Sequence, residues 1–363
     1  MSKQEYKNLI AFHPGYYLTD ILDELEMTQE DFAIRLGTTP KTISKLLNGK
    51  TPLTNDLAKK LSSMLGISVG TLLNLQKAYD EKLIEIEQLK EMDVQIEIAD
   101  NIDYSYFVKN NFLPKVAHKV EKVKTLCAFL RVGNLQILKR PDLLASFRTT
   151  IADVSDKNII NANVWLQTAI NKGLEISVEP FDEKKLKSYI PEIRSMTLQT
   201  PDEFLPRLNH IFRECGVAFV LLPALKNCGV NGVVRWYDDK VILAINDRYK
   251  YADTFWFSLF HEIKHVFQQK KTRTIVNCKD DSLGFDDSFE LEADDFARET
   301  LIPEKEYSRF VAMTGRYISK SDVIHFANRI GIHPGIVVGR LQHDKRLDHS
   351  SMFEFKQRYT IIM

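Results

Sequence analysis

Apolar side chains recur at three- and four-residue intervals through most of the chain, the pattern of helices that bury one face. In the first, over Tyr16 to Leu25, Leu18, Ile21, Leu22 and Leu25 share that face. Thr28-Gln-Glu-Asp31 has the form of a capping box, opening a second helix with Phe32, Ala33 and Leu36 that Gly37 ends. Thr38 or Thr39 caps a third, with Pro40 in its first turn, and Asn48-Gly49 stops it after Leu47. Thr54 caps a fourth and Ser68 a fifth. Ala78 to Val94 is charged and helix-favouring, and reads as a connector. Residues 95 to 210 keep the helical pattern, with breaks expected at Pro114, Gly133, Pro141, Gly173-Leu174 and Pro180 and no cluster of chemical groups. The pattern then shortens to β-type runs at Val217 to Leu222, Gly232 to Tyr237 and Val241 to Ile245. Helical spacing returns with Phe255, Leu259, Phe260, Ile263, Val266 and Phe267, and again in an acidic-to-apolar helix from Ser288, its expected cap, to Arg298.

The helix over residues 255 to 267 carries chemistry. His261, Glu262 and His265 spell H-E-x-x-H, which stacks the two imidazoles on one helical face and sets the carboxylate beside them. Two such histidines and a third ligand hold Zn²⁺ with one position open, and the metal lowers the pKa of its water to near 7. Glu262 is then placed to take that proton and pass it to a leaving amine. The third ligand decides the class. His265-Val-Phe-Gln-Gln-Lys-Lys271 lacks the H-x-x-G-x-x-H continuation of a metzincin. Downstream, Glu290 and Asp294 are four apart and share a face, while Glu292 points elsewhere. Glu290 is therefore the expected third ligand and Asp294 an outer acceptor for a ligand imidazole. Glu292 and the spare histidines His325, His333, His343 and His349 remain alternatives.

A short helix, a glycine turn and a capped third helix make a helix-turn-helix arrangement, whose second member lies in the DNA major groove. Ile43, Leu46 and Leu47 would face the core, leaving Thr39, Lys41, Thr42, Ser44 and Lys45 to face DNA. The tail echoes this segment: Phe326-Ala-Asn-Arg-Ile-Gly-Ile-His-Pro334 repeats Phe, Ala, Arg, Gly and Pro of Phe32 to Pro40 at the same offsets. There Ile336, Val337 and Val338 replace Thr42, Ile43 and Ser44, so the repeat looks built for packing.

Two resemblances attach to these residues. H-E-I-K-H at His261, followed by E-L-E-A-D-D-F-A-R-E-T-L-I-P from Glu290 to Pro303, is similar to the ImmA/IrrE metallopeptidases. The likeness extends upstream through Gly216 to Val220, Gly232 to Trp236 and Arg248 to Phe257, with Lys264 departing from the small residue common there. It implies a gluzincin-like zinc peptidase, often acting on one regulatory protein. Residues 12 to 80, with His13-Pro-Gly-Tyr-Tyr-Leu18, Thr28-Gln29, Asn48-Gly49 and Leu73-Asn-Leu-Gln76, resemble HigA-type antitoxins of the Xre-like repressors. That implies a homodimer on a palindromic operator, with a toxin as partner. Zincins lay a small sheet over the active-site helix, and either Gly232 to Trp236 or Val241 to Ile245 is a candidate edge for an extended substrate. Arg248 and Tyr249, just before the metal helix, are candidates to polarise a carbonyl or simply to pack.

Composition narrows the setting. A 44% hydrophobic and 27% charged chain of 363 residues is ordinary for two or three soluble domains. No apolar run reaches membrane-spanning length and the start lacks a signal pattern, so a cytoplasmic protein with no membrane role is expected. Cys127, Cys215, Cys228 and Cys278 are scattered and read as reduced thiols. Net charge is zero, yet Arg35 to Lys60 holds six cations against Asp56 alone, a local patch fit for phosphates. The expected architecture is mainly α with a small β-sheet. It divides into a five-helix helix-turn-helix domain (1–80), a helical connector and middle region (81–210), a gluzincin-like peptidase core (211–303) and a helical segment completing it (304–363). Two functions compete: a DNA-binding regulator with a working zinc endopeptidase, or a non-catalytic antitoxin and repressor whose zincin fold grips or senses a partner.

Overall fold

The capping residues do most to define the N-terminal architecture. In a computed structural model, residues 3–141, 143, 155–246, 251–268, 287–315 and 317–359 are described, and the chain divides into units Met1–Glu97 and Ile98–Met363. The first unit opens with an antiparallel hairpin, β1 (Lys3–Tyr6) and β2 (Leu9–Phe12), absent from the helical pattern read above. Helix α1 (Pro14–Glu24) starts two residues earlier than its apolar face suggests, because His13 caps it: Nδ1 accepts from the Gly15 amide at 2.9 Å. Only glycine suits position 15, since a Cβ there would lie 2.1 Å from the Leu46 carbonyl oxygen. Thr28 caps α2 (Gln29–Leu36), and Gly37 ends it at φ 64°, a left-handed turn that glycine adopts without strain. Thr39 caps α3 (Pro40–Leu47), and Thr54 caps α4 (Asn55–Leu65). Leu18, Phe32, Ile43, Leu46 and Leu61 meet in one core. The expected fifth helix and connector are one element, α5 (Val69–Asp100), begun by Ser68 Oγ accepting from the Thr71 amide.

The second unit begins with α6 (Tyr104–Lys109), α7 (Lys119–Leu130) and α8 (Asp156–Glu175). The break expected at Gly173-Leu174 does not occur. Gly173 lies inside α8 because a Cβ there would meet the Ile242 side chain at 2.5 Å, so the glycine serves close helix-to-sheet packing. Helices α9 (Glu183–Ser195) and α10 (Pro201–Glu214) lead into β3 (Val217–Leu222), β4 (Gly232–Tyr237) and β5 (Lys240–Asn246). The sheet order is β3-β5-β4, parallel between β3 and β5 and antiparallel between β4 and β5. Val241 to Ile245 is thus a central strand, buried throughout, and the reading of it as a substrate-binding edge is corrected. Strand β4 has a neighbour on one side only among the described residues.

Five helices complete the unit: α11 (Ala252–Gln268), α12 (Asp287–Leu301), α13 (Glu304–Thr314), α14 (Lys320–Ile330) and α15 (Pro334–His343). Trp256, Leu259, Phe260 and Ile263 of α11 are fully buried, and Trp256 Nε1 donates to Tyr359 Oη at 2.8 Å. Helix α12 already includes Asp287, which puts Ser288 inside its first turn rather than at its cap. The repeat noted in the tail is structural: Gly331 ends α14 at φ 69° as Gly37 ends α2. Its last helix, however, buries Ile336, Val337, Val338 and Leu341, and so faces protein rather than a groove. The molecule is mainly helical with small sheets. No described helix is long and apolar enough to cross a membrane, Cys215 is a free, buried thiol, and Cys278, Arg248 and Tyr249 lie outside the described residues.

Candidate metal centre and DNA-facing helix

Helices α11 and α12 run antiparallel, pairing His261 with Asp294 and His265 with Glu290. His261 Nε2 and His265 Nε2 are 3.0 Å apart, and the Glu290 oxygens lie 3.3 and 3.2 Å from them. Donors bound to zinc at roughly 2.05 Å and held at tetrahedral angles would lie about 3.3 Å from one another, so the three side chains fit that ion. The histidines' other ring nitrogens explain why a cation is needed. His261 Nδ1 faces the Asp294 carboxylate at 2.9 Å, and His265 Nδ1 faces Gln268 Oε1 at 2.8 Å. Gln268 uses its amide nitrogen on the Phe289 carbonyl and Glu292, which fixes its oxygen toward His265. Both Nδ1 atoms therefore donate, leaving two Nε2 lone pairs aimed at each other and at a carboxylate. Only protons or a metal ion relieve that convergence.

Titration shifts carry the same demand. Burial alone would lower the His261 pKa, but the Asp294 and Glu290 carboxylates raise it to about 10. Burial would raise Glu290, yet the two imidazoles hold it at about 2. Glu262, 5% exposed, is pushed up by burial and only partly restrained by His265 and His261. Its carboxylate packs against the first residue of β4: a Cβ on Gly232 would fall 2.3 Å from Glu262 Oε1.

Among the described residues, His261, His265 and Glu290 form the single group with donors close enough to share an ion, all within 4.8 Å. Glu292 turns to Lys264 Nζ at 3.2 Å instead. His333 caps α15, His325 meets Ser321, and His343 and His349 line a cavity on the far side of Asp294, outside the group of three donors. Gln268 and Gly232 were not singled out from the sequence. Gln268 had a signal in its position, three residues after His265 on the same helical face; Gly232 had none.

On α3, Thr39, Lys41 and Lys45 are exposed, and Thr42 and Ser44 half-buried. Thr39 is partly committed, its hydroxyl capping the helix through the Thr42 amide at 3.2 Å. Nearby, Lys60 pairs with Asp56 at 3.2 Å, which spends one of the local cations.

Residues 18–72 match the helix-turn-helix family model, and residues 229–342 that of the IrrE N-terminal-like domain. An Escherichia coli (strain K12) protein, the uncharacterized HTH-type transcriptional regulator YddM, is 37% identical over 86 residues, spanning 23% of this chain and 92% of that protein. The chain belongs to the helix-turn-helix regulators. Its second unit carries an IrrE N-terminal-like domain, from a peptidase family that is typically metal-dependent. Two solved structures match about a quarter of this chain each. A candidate antidote protein of a plasmid maintenance system from Nostoc punctiforme is 35% identical over 24% of this chain and 93% of its own, with a TM-score of 0.22. An addiction module antidote protein of a HigA family from Coxiella burnetii is 30% identical over 23% and 94%, also at 0.22.

Proposed function

We propose that this regulator is a zinc-dependent endopeptidase as well as a DNA-binding protein, hydrolysing a regulatory protein or a toxin partner. The convergence of two Nδ1-protonated imidazoles and one carboxylate, 3.0 to 3.3 Å apart, carries the reading. His261, His265 and Glu290 hold the ion, with Asp294 and Gln268 orienting the imidazoles. Zinc bound there supplies Lewis acidity, acidifying water and polarising a carbonyl. Glu262 takes the proton of the attacking water and delivers it to the leaving amine, a task suited to a carboxylate whose pKa burial raises. Strand β4 begins beside Glu262 and has an outer edge unpaired among the described residues, on which an extended peptide can pair, which favours protein over a small amide. At the other end of the chain, α3 lies in the major groove of a palindromic operator bound by a homodimer, with Thr39, Lys41, Thr42, Ser44 and Lys45 at the DNA. Operator binding sets this work in the cytoplasm.

The test incubates zinc-loaded wild type and Glu262→Gln with the proteins encoded beside its reading frame, and reads cleavage by mass spectrometry. Wild type is expected to cut one of them, and the variant to cut none while keeping zinc and DNA binding. Cleavage by both removes Glu262 from the mechanism. Cleavage by neither leaves the non-catalytic antitoxin and repressor.

A further inference from the structure

His13 is the only histidine in the unit Met1–Glu97, which holds no cysteine either. It is therefore the one side chain there whose ordinary pKa lies between pH 5 and 8. The ring is 1% exposed and joins three elements. Its Nδ1 accepts the Gly15 amide at 2.9 Å, which caps α1, and its other nitrogen donates to the Thr51 carbonyl in the loop after α3. Tyr79 of α5 meets it edge-on, with ring centroids 4.9 Å apart. A backbone N–H can only donate, so Nδ1 keeps its lone pair and the ring is neutral, with its proton on Nε2. Gly15 seats this cap directly on α3. A Cβ at that position would lie 2.1 Å from the Leu46 carbonyl oxygen and 2.8 Å from the Leu47 Cα, so the backbones of α1 and the last turn of α3 touch. Leu18 and Leu22, further along α1, share the core with Ile43 and Leu46.

A proton on Nδ1 sets donor against donor at Gly15 and puts a positive charge at the positive end of a helix. Burial lowers the His13 pKa from its ordinary 6.5, outweighing the Thr51 carbonyl and the Asp80 carboxylate of α5, which favour the imidazolium. Asp80 is already engaged by Gln76 Nε2 at 2.8 Å, and Gln76 Oε1 in turn holds the Leu53 amide. We propose that His13 is an acid switch on DNA binding: its protonation breaks the cap of α1, loosens α1 from the last turn of α3, and releases the DNA. The contribution of the neutral ring is complete above pH 6.5 and is lost as pH falls through the lower folded pKa. An N-cap corresponds to a factor of roughly 2 to 30 in an equilibrium constant, and DNA affinity should fall by up to that factor. The switch rests on DNA binding through α3 and is independent of zinc.

Fluorescence anisotropy of the metal-free full chain, on a duplex taken from upstream of its own reading frame, tests this between pH 7.5 and 5.5, above the range of ordinary carboxylates. Wild type is expected to lose at least about twofold and at most about 30-fold in affinity across that interval. His13→Asn supplies a good cap that does not titrate, so it should bind at pH 7.5 and change by less than about twofold. Wild-type binding that does not weaken towards pH 5.5, or a His13→Asn profile parallel to it, overturns the switch alone. No binding at any pH overturns DNA binding through α3, and the switch with it. Nitrogen NMR of histidine-labelled wild type reads the ring directly, and decides the matter even if His13→Asn does not fold. His13 should be the Nε2–H tautomer at pH 7.5 and titrate below 6.5 in step with DNA release. Titration at or above 6.5, or an imidazolium form that still binds with full affinity, overturns the switch.

Discussion

Replacing Asp294 by alanine removes the hydrogen bond that holds His261 in the orientation a metal requires. The bond is 2.9 Å long, and the His261 side chain is only 12% exposed, so water replaces the lost acceptor poorly. A hydrogen bond to a charged partner contributes about 1.5 to 3 kcal/mol. At about 1.4 kcal/mol per decade, that predicts a loss of roughly 10- to 100-fold in zinc affinity, the range typical of outer partners of metal-bound histidines. Asp294 is itself 35% exposed and shared with Arg298, which argues for the lower half of that range. Asp294→Asn keeps an acceptor but loses the charge. Neutral hydrogen bonds are about half as strong as charge-assisted ones, so its loss should be about half as large in free energy, roughly 3- to 10-fold. Glu292→Gln is the control, since Glu292 is 54% exposed, pairs with Lys264 rather than with an imidazole, and as glutamine still offers an oxygen to the Gln268 amide. Its zinc affinity should stay within about twofold of wild type. Competition against a chromophoric chelator reads all three. Wild-type affinity in Asp294→Ala, or an equal loss in Glu292→Gln, would refute the reasoning.

Three more predictions follow from particular contacts. Gly232→Ala sets a methyl group 2.3 Å from Glu262 Oε1, and should cost about 1 to 3 kcal/mol by overpacking; an unchanged Tm would show that β4 gives way freely. With the metal-free His261 pKa at about 10, zinc must displace a proton at neutral pH, so about one proton should be released per ion and affinity should rise roughly tenfold per pH unit below 10. The same raised pKa stabilises the metal-free fold fully below the unfolded value of 6.5 and loses that contribution as pH rises through about 10. Calorimetry in buffers of different ionisation enthalpy checks the release, and a heat independent of buffer contradicts it. Lys41→Ala with Lys45→Ala should weaken binding to an operator duplex and reduce its salt slope by about two, measured by fluorescence anisotropy; unaltered binding would mean that another helix faces the DNA.

The sequence by itself determined what depends on neighbours along the chain. Thr28, Thr39, Thr54 and Ser68 mark helix starts because a side-chain oxygen satisfies backbone amides two or three residues on, a purely local bargain. Gly37 marks an end for a reason equally local, its positive φ. His261 and His265 are one helical turn apart in any helix that contains them, and Glu290 and Asp294 repeat that spacing, so the donor set was legible before any fold. Tertiary structure decided what depends on partners distant in sequence. Apolar alternation located three strands but could not say that Val241 to Ile245 sits between the other two, since burial on both faces looks alike wherever the strand stands. Gly173 looked like a helix break because its reason, the Ile242 side chain that a Cβ there would meet at 2.5 Å, is in another element. Gln268 gained its meaning only when α12 brought Phe289 and Glu292 to its amide and so turned its oxygen toward His265. Helical periodicity reports which face of an element is apolar; which surface covers that face is settled by long-range packing, and there the reading along the chain ends.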